Sequence, residues 1–371
     1  MAEPTRAAEA AAKVSSLRAL LQARGAGALV LTRIANFAWL SCGGRSFINA
    51  AAEGGAAWIV VTPARVAVLT TNIEAERLRD EELSGLDWEV VPCDWWAAGG
   101  LPAALRGLVG AGLVLCDAAV PGATEVGAEI AALRTRLSAA EGARAAQVGR
   151  LTAEALEACC QTIQPGETEF AVAGRLAAGC YERGIEPIVH LVAFDERVYT
   201  RRHPLPTMRR LERHALVVVC GLRAGLVLSA SRLVHFGPVA PDLERRWHAA
   251  AQVDAAMIAA TTPGATAGQV FAAALAAYRA TGFGDEWRQH HQGGLAGYAS
   301  REWRAEPEGP QVIEAGQIFA WNPSVAGAKS EDTVLCRADG LPAVLTETGA
   351  WPLVEFPTPA GPVRRPAMLQ R

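Results

Sequence analysis

The stretch Ala328-Lys329-Ser330-Glu331-Asp332-Thr333-Val334-Leu335 decides the fold of this chain. It sets two adjacent carboxylates in front of a short apolar run. Four shorter motifs precede it, and their order and spacing are more informative than any one of them. They read Pro-Gly-Glu-Thr-Glu at 165–169, His-Pro-Leu-Pro-Thr at 203–207, His-Gln-Gly-Gly at 291–294 and Ala-Trp-Asn-Pro at 320–323.

The bulk composition is that of an ordinary globular protein with packed cores. The chain has 371 residues, 51% of them hydrophobic, and this length favours two or three domains. A net charge of −3 with dispersed arginines excludes a broad electrostatic footprint for nucleic acid. The Ala-rich start carries charges, and no later apolar run reaches about 18 residues without a charge or breaker. We therefore expect a cytoplasmic protein that binds neither nucleic acid nor membrane.

Alternating helix and strand signals in the first third predict an α/β domain, and the pattern then changes to two long helices followed by a hairpin. The eight cysteines are scattered without a CxxC pair, so neither a zinc knuckle nor a disulfide framework is predicted. Four segments follow from these patterns. They are a flexible N-terminus at 1–13, an α/β domain at 14–139, a second domain at 140–356 and a disordered tail at 357–371, rich in Pro and Arg.

In motif order and spacing the chain resembles the creatinase, prolidase and aminopeptidase P family, over roughly residues 14–356. The resemblance implies an N-terminal creatinase-type α/β domain followed by a C-terminal pita-bread domain. It also implies a homodimer, which is the common assembly in this family. Because the phosphate-binding pattern of glycines between a strand and a helix is missing, dinucleotide binding is not expected.

The metallopeptidases of this family hold two divalent ions with two Asp, one His and two Glu. By resemblance, these positions fall on Cys220, Ser229, His291, Asn322 and Glu331, so only the His and the last Glu remain. Two dications bring a charge of +4, which one carboxylate cannot offset. The resemblance therefore predicts a degenerate metal site and no cofactor, with a single zinc held by Cys220, His291 and Glu331 left open.

The creatinase branch of the family cleaves a carbon–nitrogen bond without metal, and three of its positions are present here, whereas another creatinase glutamate falls on Ser231. They match His203, His291 and Glu331. His203 would act as a general base on water or as a proton donor to the leaving nitrogen, while Glu331 orients the substrate or His291. Because neighbours on an extended strand point to opposite faces, we expect the adjacent His290 to face away from the cleft.

Three further residues are candidates for substrate binding. Arg232 either holds the hairpin or binds a substrate carboxylate. Tyr298 either hydrogen-bonds a substrate carbonyl or lines a wall. Asn322, at a lost ligand position, completes the set.

Three functions stay open on the sequence. The first is a metal-independent hydrolase that cleaves a carbon–nitrogen bond in a small amide, amidine or cyclic substrate. The second is a catalytically inactive pita-bread protein that binds a small molecule or short peptide in the old cleft. The third is a metallo-aminopeptidase or prolidase with an altered, mononuclear metal site.

Overall fold

The computed structural model describes residues 5–110 and 112–371. The chain divides into two compact units, Met1–Thr135 and Arg136–Arg371, whereas the sequence analysis placed this boundary between residues 139 and 140. The expectation of a flexible segment at 1–13 does not match the structure, because a helix begins at Arg6. The Thr5 side chain caps that helix by accepting the Ala8 N–H, and Ala10 is buried in the unit's core.

The first unit is a mixed sheet with helices. Its strands lie in the order β4-β3-β2-β1-β5-β6; β1 is parallel to β5 and antiparallel to β2. Its elements are α1 (Arg6–Arg24), β1 (Ala28–Arg33), α2 (Ile34–Leu40), β2 (Gly54–Val61), β3 (Val66–Thr71), α3 (Ala75–Arg77), β4 (Glu89–Cys93), α4 (Gly100–Val109), β5 (Val114–Cys116), β6 (Thr124–Glu125) and α5 (Gly127–Arg134).

The second unit begins with paired long helices and continues into two main sheets. Its helices are α6 (Ala139–Thr162), α7 (Glu169–Glu182), α8 (Glu196–Thr200), α9 (Pro241–Ala260) and α10 (Ala267–Ala280). Its strands are β7 (Glu186–Phe194), β8 (His214–Arg223), β9 (Leu226–His235), β10 (Gly293–Ala296), β11 (Trp303–Arg304), β12 (Ile318–Trp321), β13 (Ser324–Val325), β14 (Ala328–Lys329), β15 (Asp332–Leu335), β16 (Ala343–Val344), β17 (Leu353–Phe356), β18 (Val363–Pro366) and β19 (Leu369–Gln370).

Two sheets of this unit position the candidate site. One has the strand order β19-β9-β8-β7 and the other β11-β10-β12-β15-β16. The β8–β9 hairpin turns through Ala224 and Gly225, both with positive φ, which suits the right-handed twist of the paired strands. This register sets Cys220 opposite Ser229. The core between helices and sheets is apolar, with Met257 of α9 and Phe319 of β12 among its buried side chains.

The segment 357–371 is folded, contrary to the predicted disorder. Strands β17 and β18 form a hairpin, and β19 pairs in parallel with β9. Arg365 is only 1% exposed and donates hydrogen bonds to Asp254 and Asp332. The prediction of disorder rested on the Pro and Arg content, but this arginine neutralises two carboxylates that are themselves buried.

Replacing Arg365 should therefore destabilise the whole second unit. Arg365→Ala leaves two buried carboxylates without that partner, and breaking a buried ion pair in this way costs about 3–5 kcal/mol. The matched control is Arg364→Ala, which removes a half-exposed surface pair with Glu347 and should cost about 1 kcal/mol or less. Urea unfolding followed by circular dichroism measures both. Equal losses in the two variants would contradict a structural role for residue 365.

Candidate functional site

Three histidines converge in the second unit. His203 lies in the loop after α8, and His290 and His291 lie between a 3-10 turn at Glu286–Gln289 and β10. One ring nitrogen of each lies within 4.8 Å of the others, and the Nε2 atoms of His203 and His290 are 3.2 Å apart. The rings of His203 and His291 are stacked with centroids 5.6 Å apart. The structure thus brings together the two histidines that the resemblance indicated.

His290 belongs to the cluster, although the sequence analysis expected it to face away. That expectation assumed a regular strand, but β10 begins only at Gly293, which has a φ of 102°. The segment before it is held by Gln292, whose side-chain amide donates to the carbonyl oxygens of His290 and Trp287. Because this segment is not a regular strand, its side chains do not have to alternate between two faces. His290 is buried and its ring contacts those of His203 and His291.

The environment keeps all three imidazoles neutral at pH 7. Burial is the first cause in each case, and it lowers the pKa of His203 and brings the pKa of His291 to about 3. Burial also depresses the pKa of His290 strongly. The positive charge of Lys329 adds to this for His203 and His290, and that of Arg301 does so for His291.

Glu331 lies immediately before β15, between two cations. It is 2% exposed, with Oε2 2.8 Å from the Lys329 ammonium and Oε1 3.6 Å from the Arg301 guanidinium. Its charge affects His203, whose pKa it raises against the larger effect of burial. Asn322, at another lost ligand position, is buried, and in residues 5–110 and 112–371 its Oδ1 has no hydrogen-bond partner.

The side chains of Cys220 and Ser229 form a hydrogen bond across the hairpin. The Ser229 hydroxyl lies 3.1 Å from the Cys220 sulfur and donates to it. Burial raises the pKa of the Cys220 thiol, so that it is a neutral thiol rather than a thiolate at pH 7. Two of the five positions where the family has metal ligands are thus a thiol and a hydroxyl that bind one another.

The residues present do not fit two divalent ions. Neutral groups stand at Cys220, Ser229 and Asn322, and the carboxylate of Glu331 already pairs with Lys329 and Arg301. Hard dications need several anionic oxygens, and the nearby cations repel them. Nor do the described residues bring Cys220, His291 and Glu331 together as a three-ligand set; the one such set among them is the histidine cluster.

Two of the predicted substrate-binding residues are engaged elsewhere. Arg232 is fully buried and donates to Glu157 and Asp332, as well as to backbone carbonyls. Tyr298 is 4% exposed and donates its hydroxyl to Glu141 of α6 at 2.8 Å. Arg232 therefore holds the hairpin, the first of the two roles considered for it, and Tyr298 is bonded to Glu141 of α6. The sequence analysis also missed Lys329 and Arg301, whose importance appears only from their distance to Glu331.

Comparisons with known proteins agree with this architecture. The sequence model of metallopeptidase family M24 matches residues 143–338, more than half of the chain, and the protein belongs to that family. This confirms membership of the creatinase, prolidase and aminopeptidase P group and its α/β pita-bread fold. No significant match was found among curated proteins. No helix in the described residues is long and apolar enough to cross a membrane.

Solved structures with the same fold include peptidases and a domain of a FACT complex subunit. The prolidase from Pyrococcus horikoshii is 19% identical with a TM-score of 0.77, over 91% of this chain and 98% of that one. The Xaa-Pro dipeptidase from Bacillus anthracis is 17% identical with a TM-score of 0.75, over 98% and 100%. The N-terminal domain of the FACT complex subunit SPT16 from Cicer arietinum is 14% identical with a TM-score of 0.68, over 93% and 96%.

Metal analysis tests whether the residues at the five ligand positions can bind two divalent ions. After incubation with excess Mn²⁺ or Zn²⁺ and gel filtration, we expect fewer than two ions per chain, because the site lacks the necessary anionic oxygens. The comparison is a variant with the family's carboxylates restored, Cys220→Asp, Ser229→Asp and Asn322→Glu, which should retain more metal. Two ions per wild-type chain, lost on Glu331→Gln, would overturn this conclusion.

Proposed function

We propose that this protein hydrolyses a carbon–nitrogen bond in a small substrate or short peptide without the two-metal centre typical of its family. The proposal rests on the cluster of neutral imidazoles and on the buried Glu331 carboxylate, which is paired with Lys329 and Arg301. Membership of a peptidase family supports hydrolysis. The poor fit of the donor set to two ions supports chemistry performed by side chains.

Glu331 is the group that carries the proton. Its Oε2 lies 2.8 Å from the Lys329 ammonium, and the proposed reaction requires that the carboxylate also contacts a water molecule. Glu331 accepts a proton from this water as the water oxygen attacks the carbonyl carbon. It then gives that proton to the leaving nitrogen as the carbon–nitrogen bond breaks, so that one water is consumed and the carboxylate is regenerated.

Lys329 and Arg301 supply fixed positive charge where the family's peptidases have metal ions. Oriented cations stabilise the negative charge that develops on the substrate oxygen. His203 and His291, both neutral, contact the substrate from the other side of the cluster. Lys329 and Arg301 therefore stabilise negative charge as metal ions do in the family's peptidases. Unlike metal ions, the two side chains cannot activate water, so Glu331 takes the proton from the water molecule.

Turnover of a panel of small amides, lactams and dipeptides tests the proposal. Glu331→Gln should lower kcat/KM by about 10²-fold or more, because it removes the proton carrier. The matched control is Glu306→Gln, an exposed carboxylate of the same unit, which should leave the rate unchanged. EDTA should have no effect on the wild type.

Three results would count against the proposal in different ways. Unchanged activity in Glu331→Gln would remove this residue from the mechanism. Activity that is lost with EDTA and restored by a divalent ion would make the reaction metal-dependent. No turnover across the panel, together with saturable binding of one of its members, would favour the binding function.

A further inference from the structure

Two of the sequence motifs, at 165–169 and 203–207, are joined by one buried carboxylate. Glu169 ends the first motif, begins α7 and is 0% exposed. Its Oε2 accepts the backbone N–H of Thr207 at 2.8 Å and the hydroxyl of the same residue at 2.6 Å. Thr207 ends the second motif, which begins at His203. The two motifs are therefore parts of one structure, although the bonded residues lie 38 positions apart.

Four donors occupy this carboxylate. Besides the two groups of Thr207, the Phe194 N–H donates to Glu169 Oε1 at 2.9 Å, and the Arg197 guanidinium donates to Oε2. An ionised carboxylate only accepts and has about four lone-pair sites, so all of these bonds form together. Bonds to a charged acceptor are stronger than neutral ones, and Arg197 balances the buried charge.

The segment 203–207 is held at two further points. The Val192 N–H of β7 donates to the Pro204 carbonyl oxygen at 3.2 Å. The guanidinium of Arg197 donates to the Leu205 carbonyl oxygen at 2.9 Å, so this arginine connects the segment to the same carboxylate. Consecutive carbonyl groups are thus fixed directly after the histidine that begins the segment.

The His203 ring takes its position from this segment. It is the most exposed of the three clustered histidines, so packing fixes it less than the other two rings. Its Nε2 nevertheless lies 3.2 Å from His290 Nε2, with the two ring centroids 4.9 Å apart. On its other side, Arg202 is paired with Glu286 at 2.5 Å. The backbone is therefore anchored both before and after His203.

We propose that Glu169 is a positioning residue, whose carboxylate holds the segment 203–207 so that the His203 ring stays at the cluster and contacts the substrate. This inference rests on the proposed function, which places His203 against the substrate. Glu169 acts through that ring, since its own carboxylate is buried and occupied by protein donors. A misplacement of about 1 Å can lower a rate about 10²-fold, so loss of this anchor should reach the reaction.

The set of bonds requires a carboxylate. A glutamine at this position has a single acceptor oxygen, and its NH₂ group would face N–H donors that it cannot accept from. Glu169→Gln therefore keeps the size of the side chain but should release Thr207. The matched control is Glu167→Gln, the same chemical change in the same motif. Glu167 pairs with Arg175 of α7 and has no side-chain contact with the segment among the described residues.

Nuclear magnetic resonance of the full chain with labelled histidine reads the ring position and needs no substrate. In the wild type, ring protons of His203 and His290 should show a nuclear Overhauser effect, because the rings are in contact. Glu169→Gln should abolish this effect, and Glu167→Gln should keep it. A loss of global stability alone would leave the effect intact in the folded chain. Its persistence in Glu169→Gln would overturn the inference.

Kinetics test whether Glu169 acts through His203. Glu169→Gln should lower kcat/KM by about 10-fold or more, and Glu167→Gln should leave it unchanged. In a chain that already carries His203→Ala, Glu169→Gln should lower kcat/KM by less than about 2-fold, because both changes remove one contact. Equal losses in the two backgrounds would show an effect that does not pass through His203, and would refute the positioning role.

Thr207 supplies a second pair of variants in case Glu169→Gln does not fold. Thr207→Val removes the hydroxyl that donates to Glu169, whereas Thr207→Ser keeps it. We expect Thr207→Val to weaken the contact between the rings and to lower kcat/KM, and Thr207→Ser to restore both. Equal behaviour of the two variants would contradict the proposal.

The two proposals can fail separately. A ring contact that is lost in Glu169→Gln, without turnover of any substrate by the wild type, would refute hydrolysis and support Glu169 as the anchor of His203. Turnover that Glu169→Gln leaves unchanged would support hydrolysis and refute the positioning role.

Discussion

Two adjacent carboxylates, Glu331 and Asp332, organise the second unit. Neighbouring side chains on extended backbone point to opposite faces, so the two carboxylates lie in different surroundings. Asp332 faces Arg232 and Arg365 and joins the hairpin to the end of the chain. Glu331 faces Lys329 and Arg301 in the candidate site. Each carboxylate is thus buried with two cations, and burial without them would cost several kcal/mol.

The charged groups of the candidate site are paired by side chains of the second unit. In a two-metal peptidase the ions hold several carboxylates together, so losing a ligand leaves charges unbalanced. Here the hairpin pair has become a neutral thiol and hydroxyl that bond to each other. The carboxylate of Glu331 is paired with Lys329 of β14 and with Arg301, which lies in the loop between β10 and β11. The buried carboxylate therefore has two counter-charges among the side chains of this unit.

The fold could be predicted from the sequence, because the motifs around 165–169, 291–294 and 328–335 lie in a distinctive order. The proximity of His203 and His291 followed from the resemblance. Residues whose role depends on distant partners could not be predicted. Tyr298 binds Glu141, 157 positions away in sequence, and Arg365 binds Asp254, 111 positions away. The Pro and Arg content around Arg365 predicted a disordered tail instead.

His290 shows why local rules fail at such a site. Alternation of faces requires paired strands, and the backbone at His290 and His291 is instead held by the Gln292 side chain and by Gly293 with its positive φ. A side chain at residue 293 would also collide with the Ala320 carbonyl oxygen, 2.1 Å from where its Cβ would lie. The glycine thus permits both the close strand pairing and the N–H that contacts His291.

The chemistry of three clustered imidazoles depends on which nitrogen carries the proton. Free lone pairs form a site for a transition metal, whereas occupied lone pairs form a site that donates hydrogen bonds. The Gly293 N–H can only donate, so it occupies the Nδ1 lone pair of His291. The Ser324 hydroxyl, which accepts from Arg202, lies 3.3 Å from His290 Nδ1. The groups that contact each ring therefore matter to the chemistry of the cluster as much as the positions of the rings.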